Sequence, residues 1–189
     1  MSYDIPNKNG QTFGLRINNP ADLRPSGFFY DGQIGLTDGS KNNGSAIFEN
    51  MIYGLRAAIM DLNIKIDKDG LNTINKISKV FAPTSDGNNP TEWANNVSKE
   101  SNIGINEILQ SDNNTIGNLL KGVIFAEQGK LGLNSITDED INQAMNLYNG
   151  ENFSSSTTNN NQNNTGLFVF LAFIGIGYFT YKYALKNNF

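Results

Sequence analysis

The amino-acid sequence predicts a mainly α domain of the α+β kind, with a small irregular or β-rich lobe ahead of the helices and a separate apolar segment at the C-terminus. Three observations predict it. Residues 1–47 are rich in Gly, Asn, Asp and Pro and keep neither a helical nor a strand period. From Ile47 onward apolar residues recur at helical spacing in one segment after another. From Thr165 to Tyr181 the chain is uncharged and largely apolar.

Taken in order, the first lobe contains short strands around Phe28 to Leu36, and the rest of it reads as ordered loop. Ile47, Met51, Leu55, Ala58 and Leu62 then mark an amphipathic helix from about Glu49 to Asp67. A second helix, about Thr73 to Phe81, stops before Ala82-Pro83, because proline pushes its predecessor out of the α region. Pro90-Thr91 starts a third, about Thr91 to Asn102, with Trp93 and Val97 as an i,i+4 apolar pair, and Ile105 to Leu109 adds a turn. The clearest helix spans Thr115 to Gln128, where Ile116, Leu119, Leu120, Val123 and Ile124 form one stripe and Gly129 is placed to end it in a left-handed C-cap. The last runs from Asp138 to Tyr148, opened by Thr137 with Asp140 three residues on, the pattern of a capping box.

A chain of 189 residues suits one domain plus an appendage. It has no histidine and no cysteine. Those absences exclude Ser-His-Asp and Cys-His nucleophiles and leave only carboxylates as strong metal ligands, which argues against zinc chemistry; no cofactor is called for. All the acidic residues precede residue 154, whereas Lys182 and Lys186 follow it, so the domain is more acidic than the chain's net charge of −4. A nucleic-acid partner would demand the opposite sign.

Charge and composition divide the chain into a domain at 1–153, a polar linker at 154–165 of Ser, Thr, Asn and Gln, a span at 166–185 and a short tail at 186–189. With Lys182 snorkelling, the apolar stretch approaches the length a bilayer requires, and Tyr178, Tyr181 and Tyr183 sit where an aromatic belt would lie. The expectation is a single transmembrane helix and a lipid partner, with entry by the tail, since Met1 to Pro20 holds no apolar run. The positive-inside bias of Lys182 and Lys186 would put the domain across the membrane, whereas a leaderless tail anchor would do the reverse; both orientations stay open.

One segment fits no core element. Gly14-Leu15-Arg16-Ile17-Asn18-Asn19-Pro20-Ala21-Asp22-Leu23-Arg24 crowds two arginines, two asparagines and a proline into eleven residues, a loop presenting cationic forks. It resembles the opening of a family of phage and prophage virion proteins, G-L/I-R-x-N-N-P-x-N-L/I-R, with Asp22 where that family usually has asparagine. The resemblance continues in order through Tyr30-Asp31-Gly32-Gln33-Ile34-Gly35, where Tyr30 replaces a tryptophan, through Phe48 and Tyr53-Gly54-Leu55-Arg56-Ala57, through Ala82-Pro83 with Asn88-Asn89-Pro90-Thr91-Glu92-Trp93, and through Ala126-Glu127-Gln128-Gly129. It implies a lysozyme-like domain, related to lytic transglycosylases, that acts on the glycan strands of peptidoglycan.

Glu127 is the residue on which chemistry converges. It falls on the apolar stripe of its helix, in the last turn, where burial and the helix dipole both raise a carboxyl pKa. A carboxyl still protonated near neutral pH is what a glycosidase uses to protonate a leaving glycosidic oxygen. The same placement also suits a fold clamp that accepts hydrogen bonds from Arg16, Arg24 or Arg56 or from loop N–H groups, and the residues alone leave both roles open. A hydrolase needs a second carboxylate; Asp31, Asp38 and Glu49 are candidates without a distinguishing pattern, and a transglycosylase needs none.

For substrate binding, Arg16, Asn18, Asn19 and Arg24 suit a glycan cleft, amides for N-acetyl groups and guanidinium for carboxylates, or else they brace the fold around Glu127. Tyr30 and Trp93 are aromatic platforms for sugar faces, although the spacing of Trp93 with Val97 equally fits a core, and Arg56 reads as a structural ion-pair partner. The expectation is an enzyme that cleaves peptidoglycan during phage entry or release, anchored in a virion or host membrane beside other virion proteins. The alternative is a noncatalytic, membrane-anchored virion protein that uses the same fold as a scaffold or wall-binding module.

Overall fold

A computed structural model describes residues 10–37 and 44–150. The linker at 154–165 and the predicted span at 166–185 lie outside the described residues, as does Asp38. No helix among the described residues is long and apolar enough to cross a membrane.

The fold is mainly helical with one small sheet. A single turn, α1, occupies Phe13–Arg16, and two short strands, β1 (Gln33–Leu36) and β2 (Ala46–Phe48), pair antiparallel with an irregularity between Gln33 and Gly35. The helices α2 (Met51–Asp67), α3 (Ile74–Phe81), α4 (Pro90–Ser101), α5 (Asn113–Asn134) and α6 (Asp138–Tyr148) follow in order. Each starts where the sequence supplies an acceptor for the free N–H groups of the first turn. Asn50 accepts from Tyr53 N–H, Thr73 from Lys76 N–H, Asn89 from Thr91 and Glu92 with Pro90 at the first position, and Asp112 from Asn114 and Thr115. Thr137 and Asp140 form the full capping box.

Packing follows the apolar stripes. α4 lies along α5, α2 along α6, and α3 against α4, and α2 and α5 contribute more buried residues than the other helices. Ile116, Leu119, Leu120, Val123 and Ile124 are all sealed from solvent at 1% exposure or less, each contributing roughly 1.5–3 kcal/mol by burial. Gly122 lets α5 approach α4 closely, because a Cβ there would meet the Val97 carbonyl oxygen at 2.6 Å.

Three details depart from expectation. Ile47 belongs to β2 and not to the helical stripe, because Asn50 caps α2 two residues later than the periodicity suggests. The predicted strand region contracts to Gln33–Leu36. The helix carrying Glu127 continues beyond Gln128 to Asn134, but Gly129, at φ 66° and ψ −168°, breaks it into two pieces, so the predicted glycine stop acts as a kink.

Candidate functional site

The loop between α1 and β1 is built by its asparagines. Asn19 is fully buried, and its amide donates to the carbonyls of Leu23 and Ala46, both at 2.9 Å, while its Oδ1 accepts from Leu23 N–H at 2.8 Å. Asn18 takes a left-handed conformation, φ 55°, and donates to the Phe48 carbonyl at 3.0 Å. Backbone bonds from Ala46 N–H to Leu23 C=O at 2.8 Å and from Phe48 N–H to Ile17 C=O at 3.0 Å complete the attachment to β2. The loop is thereby fixed along the small sheet, and two glycines let it close on the helices. A side chain at Gly54 would drive into the Asn18 carbonyl, and one at Gly14 would meet Asn19 O at 2.6 Å and displace the Gln128 amide.

This rigid loop forms one wall of a cleft of about 480 Å³. It contributes Asp22, Leu23, Arg24 and Tyr30; α2 contributes Asp61 and Lys65, the end of α3 contributes Val80 and Phe81, the turn after it Asp86, and α5 contributes Glu127. Glu127 Oε1 accepts a 2.7 Å hydrogen bond from the indole N–H of Trp93, whose ring stacks on Phe81 at 5.2 Å between centroids. Burial is the main influence on the Glu127 carboxyl and raises its pKa to about 7; the Trp93 hydrogen bond and Arg24 oppose the rise, and the Asp22 charge adds to it.

The remaining charges of the cleft are mostly paired. Arg24 meets Asp86 at 2.8 Å, and Lys65 meets Asp61 at 2.7 Å while lying 5.4 Å from the Phe81 ring. Tyr30 is 4% exposed, edge-on to Phe28 and against Phe48, and its hydroxyl is pushed up to about 12 by burial and by the Asp61 charge, so it stays protonated at physiological pH.

Of the residues singled out from sequence, Glu127, Arg24 and Tyr30 come together in this cleft. Arg16, Asn18 and Asn19 do not line it. Arg16 lies over the Phe13 ring at 5.6 Å. Asn19 has no exposed group to offer a glycan, so of the two roles expected for it, its position is that of a brace. Arg56 pairs with Asp31 at 2.8 Å and donates to the Leu147 carbonyl, away from the cleft, and Glu49 also lies outside it.

Sequence reasoning missed two residues and the site role of a third, Trp93, which it reads as a sugar platform or a core residue. Trp93 matched a core spacing and is indeed buried, but its N–H is the direct partner of Glu127. Gln128 accepts from Gly14 N–H at 3.1 Å, so the residue next to Glu127 ties down the start of the loop. Asp22, a lining residue of the cleft whose charge acts on Glu127, stood in a motif read for its amides and guanidinium groups. A buried indole N–H needs an acceptor, and that need is the signal that could have tied the one tryptophan, Trp93, to a buried carboxyl.

Compared with known proteins, the chain matches no family profile and no curated relative.

Proposed function

We propose that this domain is a peptidoglycan-degrading enzyme of the lytic transglycosylase or muramidase type, on a lysozyme-like fold, with Glu127 as its acid/base. The observation that carries the proposal is the Glu127 carboxyl on a cleft wall, raised to about 7 chiefly by burial and, among the described residues, bonded by a neutral indole N–H. A clamp would place that carboxylate against a guanidinium, but Arg24 is engaged by Asp86 and Arg56 by Asp31.

In this reading a glycan strand lies along the cleft with a glycosidic oxygen at Glu127. The protonated carboxyl donates to that oxygen as the bond to the anomeric carbon breaks, and the resulting carboxylate then accepts a proton from the incoming nucleophile. The Trp93 indole fixes the carboxyl orientation through both steps. Arg24 is placed to exchange Asp86 for a carboxylate of the wall, and Tyr30, held neutral, forms part of the cleft lining. The apolar stretch 166–185 tethers the enzyme to a virion or host membrane, and the motif resemblance supports a role in phage entry or release.

The test compares full-length wild type with Glu127→Gln for clearing of purified peptidoglycan, with mass spectrometry of released fragments and thermal melts of both. Release by wild type and none by an equally folded variant supports the enzyme. No release by folded wild type across a range of pH and wall types, with retained sedimentation on peptidoglycan, moves the protein to the noncatalytic wall-binding class.

A further inference from the structure

Four acidic residues line the cleft, the charge of Asp22 acts on Glu127, and their surroundings separate them. Asp86 is neutralised by Arg24 at 2.8 Å. Asp61 Oδ1 accepts from Lys65 Nζ at 2.7 Å, and its Oδ2 is walled off from solvent. Glu127 is bonded to Trp93. Asp22 differs from all three. No cation pairs with it among the described residues; its Oδ1 accepts a hydrogen bond from the Ser45 hydroxyl at 2.7 Å, which leaves Oδ2 without a partner.

Asp22 is also held with unusual firmness for a loop residue. Its φ is 48°, a left-handed conformation that aspartate tolerates better than most residues. Its N–H donates to the Asn19 carbonyl at 3.1 Å, and the next residue, Leu23, is fixed on both sides by Asn19 and Ala46. The buried Asn19 network, which contributes nothing to the cleft surface, therefore determines where this carboxylate stands. Among the described residues of the cleft, the charged or titratable groups that share it are Arg24, Tyr30, Asp61, Lys65, Asp86 and Glu127.

We propose that Asp22 is the second catalytic carboxylate of the cleft, taking a proton from the water that attacks the anomeric carbon while Glu127 protonates the departing oxygen. This rests on the glycan-cleaving function proposed above and narrows it to hydrolysis. The bond from the anomeric carbon to the leaving oxygen breaks, and a bond to the water oxygen forms. One water proton passes to Asp22, the Glu127 proton passes to the leaving oxygen, and the two carboxyls then return to their starting states by exchange with solvent. A lone carboxyl would instead take the proton of the sugar's own 6-hydroxyl and leave an anhydro end.

The experiment digests purified peptidoglycan with the full chain in water enriched in oxygen-18 and reads the fragments by mass spectrometry, for wild type, Asp22→Asn and Ser45→Ala. Wild type is expected to yield reducing ends carrying one oxygen-18. Asp22→Asn, close in shape, is expected to lower the rate about 100-fold or more while keeping sedimentation on peptidoglycan and the thermal melt. Ser45→Ala removes the hydrogen bond that orients the Asp22 carboxylate, so kcat is expected to fall several-fold with KM unchanged, a readout that survives if Asp22→Asn folds poorly. Anhydro ends without label from wild type, or an Asp22→Asn variant as fast as wild type, overturn the role of Asp22 and leave the wider proposal standing. A folded wild type that releases nothing overturns both.

Discussion

Glu127 and Trp93 form the most informative pair at the residue scale, because their bond and their burial pull one carboxyl in opposite directions. Burial prevails and takes the pKa from 4.5 to about 7. The native state therefore holds this proton more tightly than the unfolded chain, so stability from this group is highest below pH 4.5 and falls as pH rises through about 7. Above that range the ionised carboxyl destabilises the fold by up to about 3 kcal/mol. Glu127→Gln, whose side-chain oxygen still accepts the Trp93 N–H, is expected to be more stable than wild type at pH 8 and equal to it at pH 4, as measured by urea titration at the two pH values. A lower stability at pH 8 would identify a clamp. Trp93→Phe removes the hydrogen bond that favours the charged form, so the alkaline limb of wall clearing should move to higher pH; an unmoved limb would separate Trp93 from the acid.

Among the elements, the helices were legible because local signals agree with one another. Thr137 with Asp140, and Asn89 ahead of Pro90, announce starts that the chain uses, and the stripe from Ile116 to Ile124 is the buried face of α5. β2 was not legible. Ala46, Ile47 and Phe48 are three consecutive buried residues without alternation, and their partners in β1 are Gln33, Gly35 and Leu36, whose register is broken between Gln33 and Gly35. Gly129 was recognised as special, but its role is set by the residues after it: the chain resumes helix to Asn134 beyond a φ and ψ that only glycine occupies readily. Gly129→Ala meets no atom within 4 Å, so its effect isolates backbone strain. A loss of about 1–3 kcal/mol is expected, together with reduced wall clearing, since the kink lies two residues beyond Glu127. Calorimetry beside activity measurements checks both, and an unchanged melting temperature would mean that the kink is not required.

Over the whole molecule, the cleft is a product of segments far apart in sequence, and that distance is why only part of it could be read in advance. Glu127 announced itself by sitting on an apolar stripe. Asp61 and Lys65 look like any i,i+4 pair on a helix, and Asp86 like a turn acid, until α2 and α3 bring them to face the loop. One hydrogen bond secures the loop to the far helix, Gly14 N–H to Gln128 across 114 residues. Gln128→Ala leaves that buried N–H unsatisfied and is expected to destabilise the domain by about 1–3 kcal/mol, with proteolytic nicking beginning between Gly14 and Arg24; cleavage elsewhere first would place the weak point outside the loop.

The same bond has a consequence for the chain while it is being made. During synthesis the N-terminal loop leaves the ribosome long before its anchor exists, and it cannot dock until Gln128 has also emerged. The helical hairpins of the middle can form early from nearby contacts, but the wall bearing Asp22 and Arg24 meets the wall bearing Glu127 only after α5 has been made. A chain released prematurely, before that point, carries neither Glu127 nor the fastening, so shortened products cannot assemble the cleft.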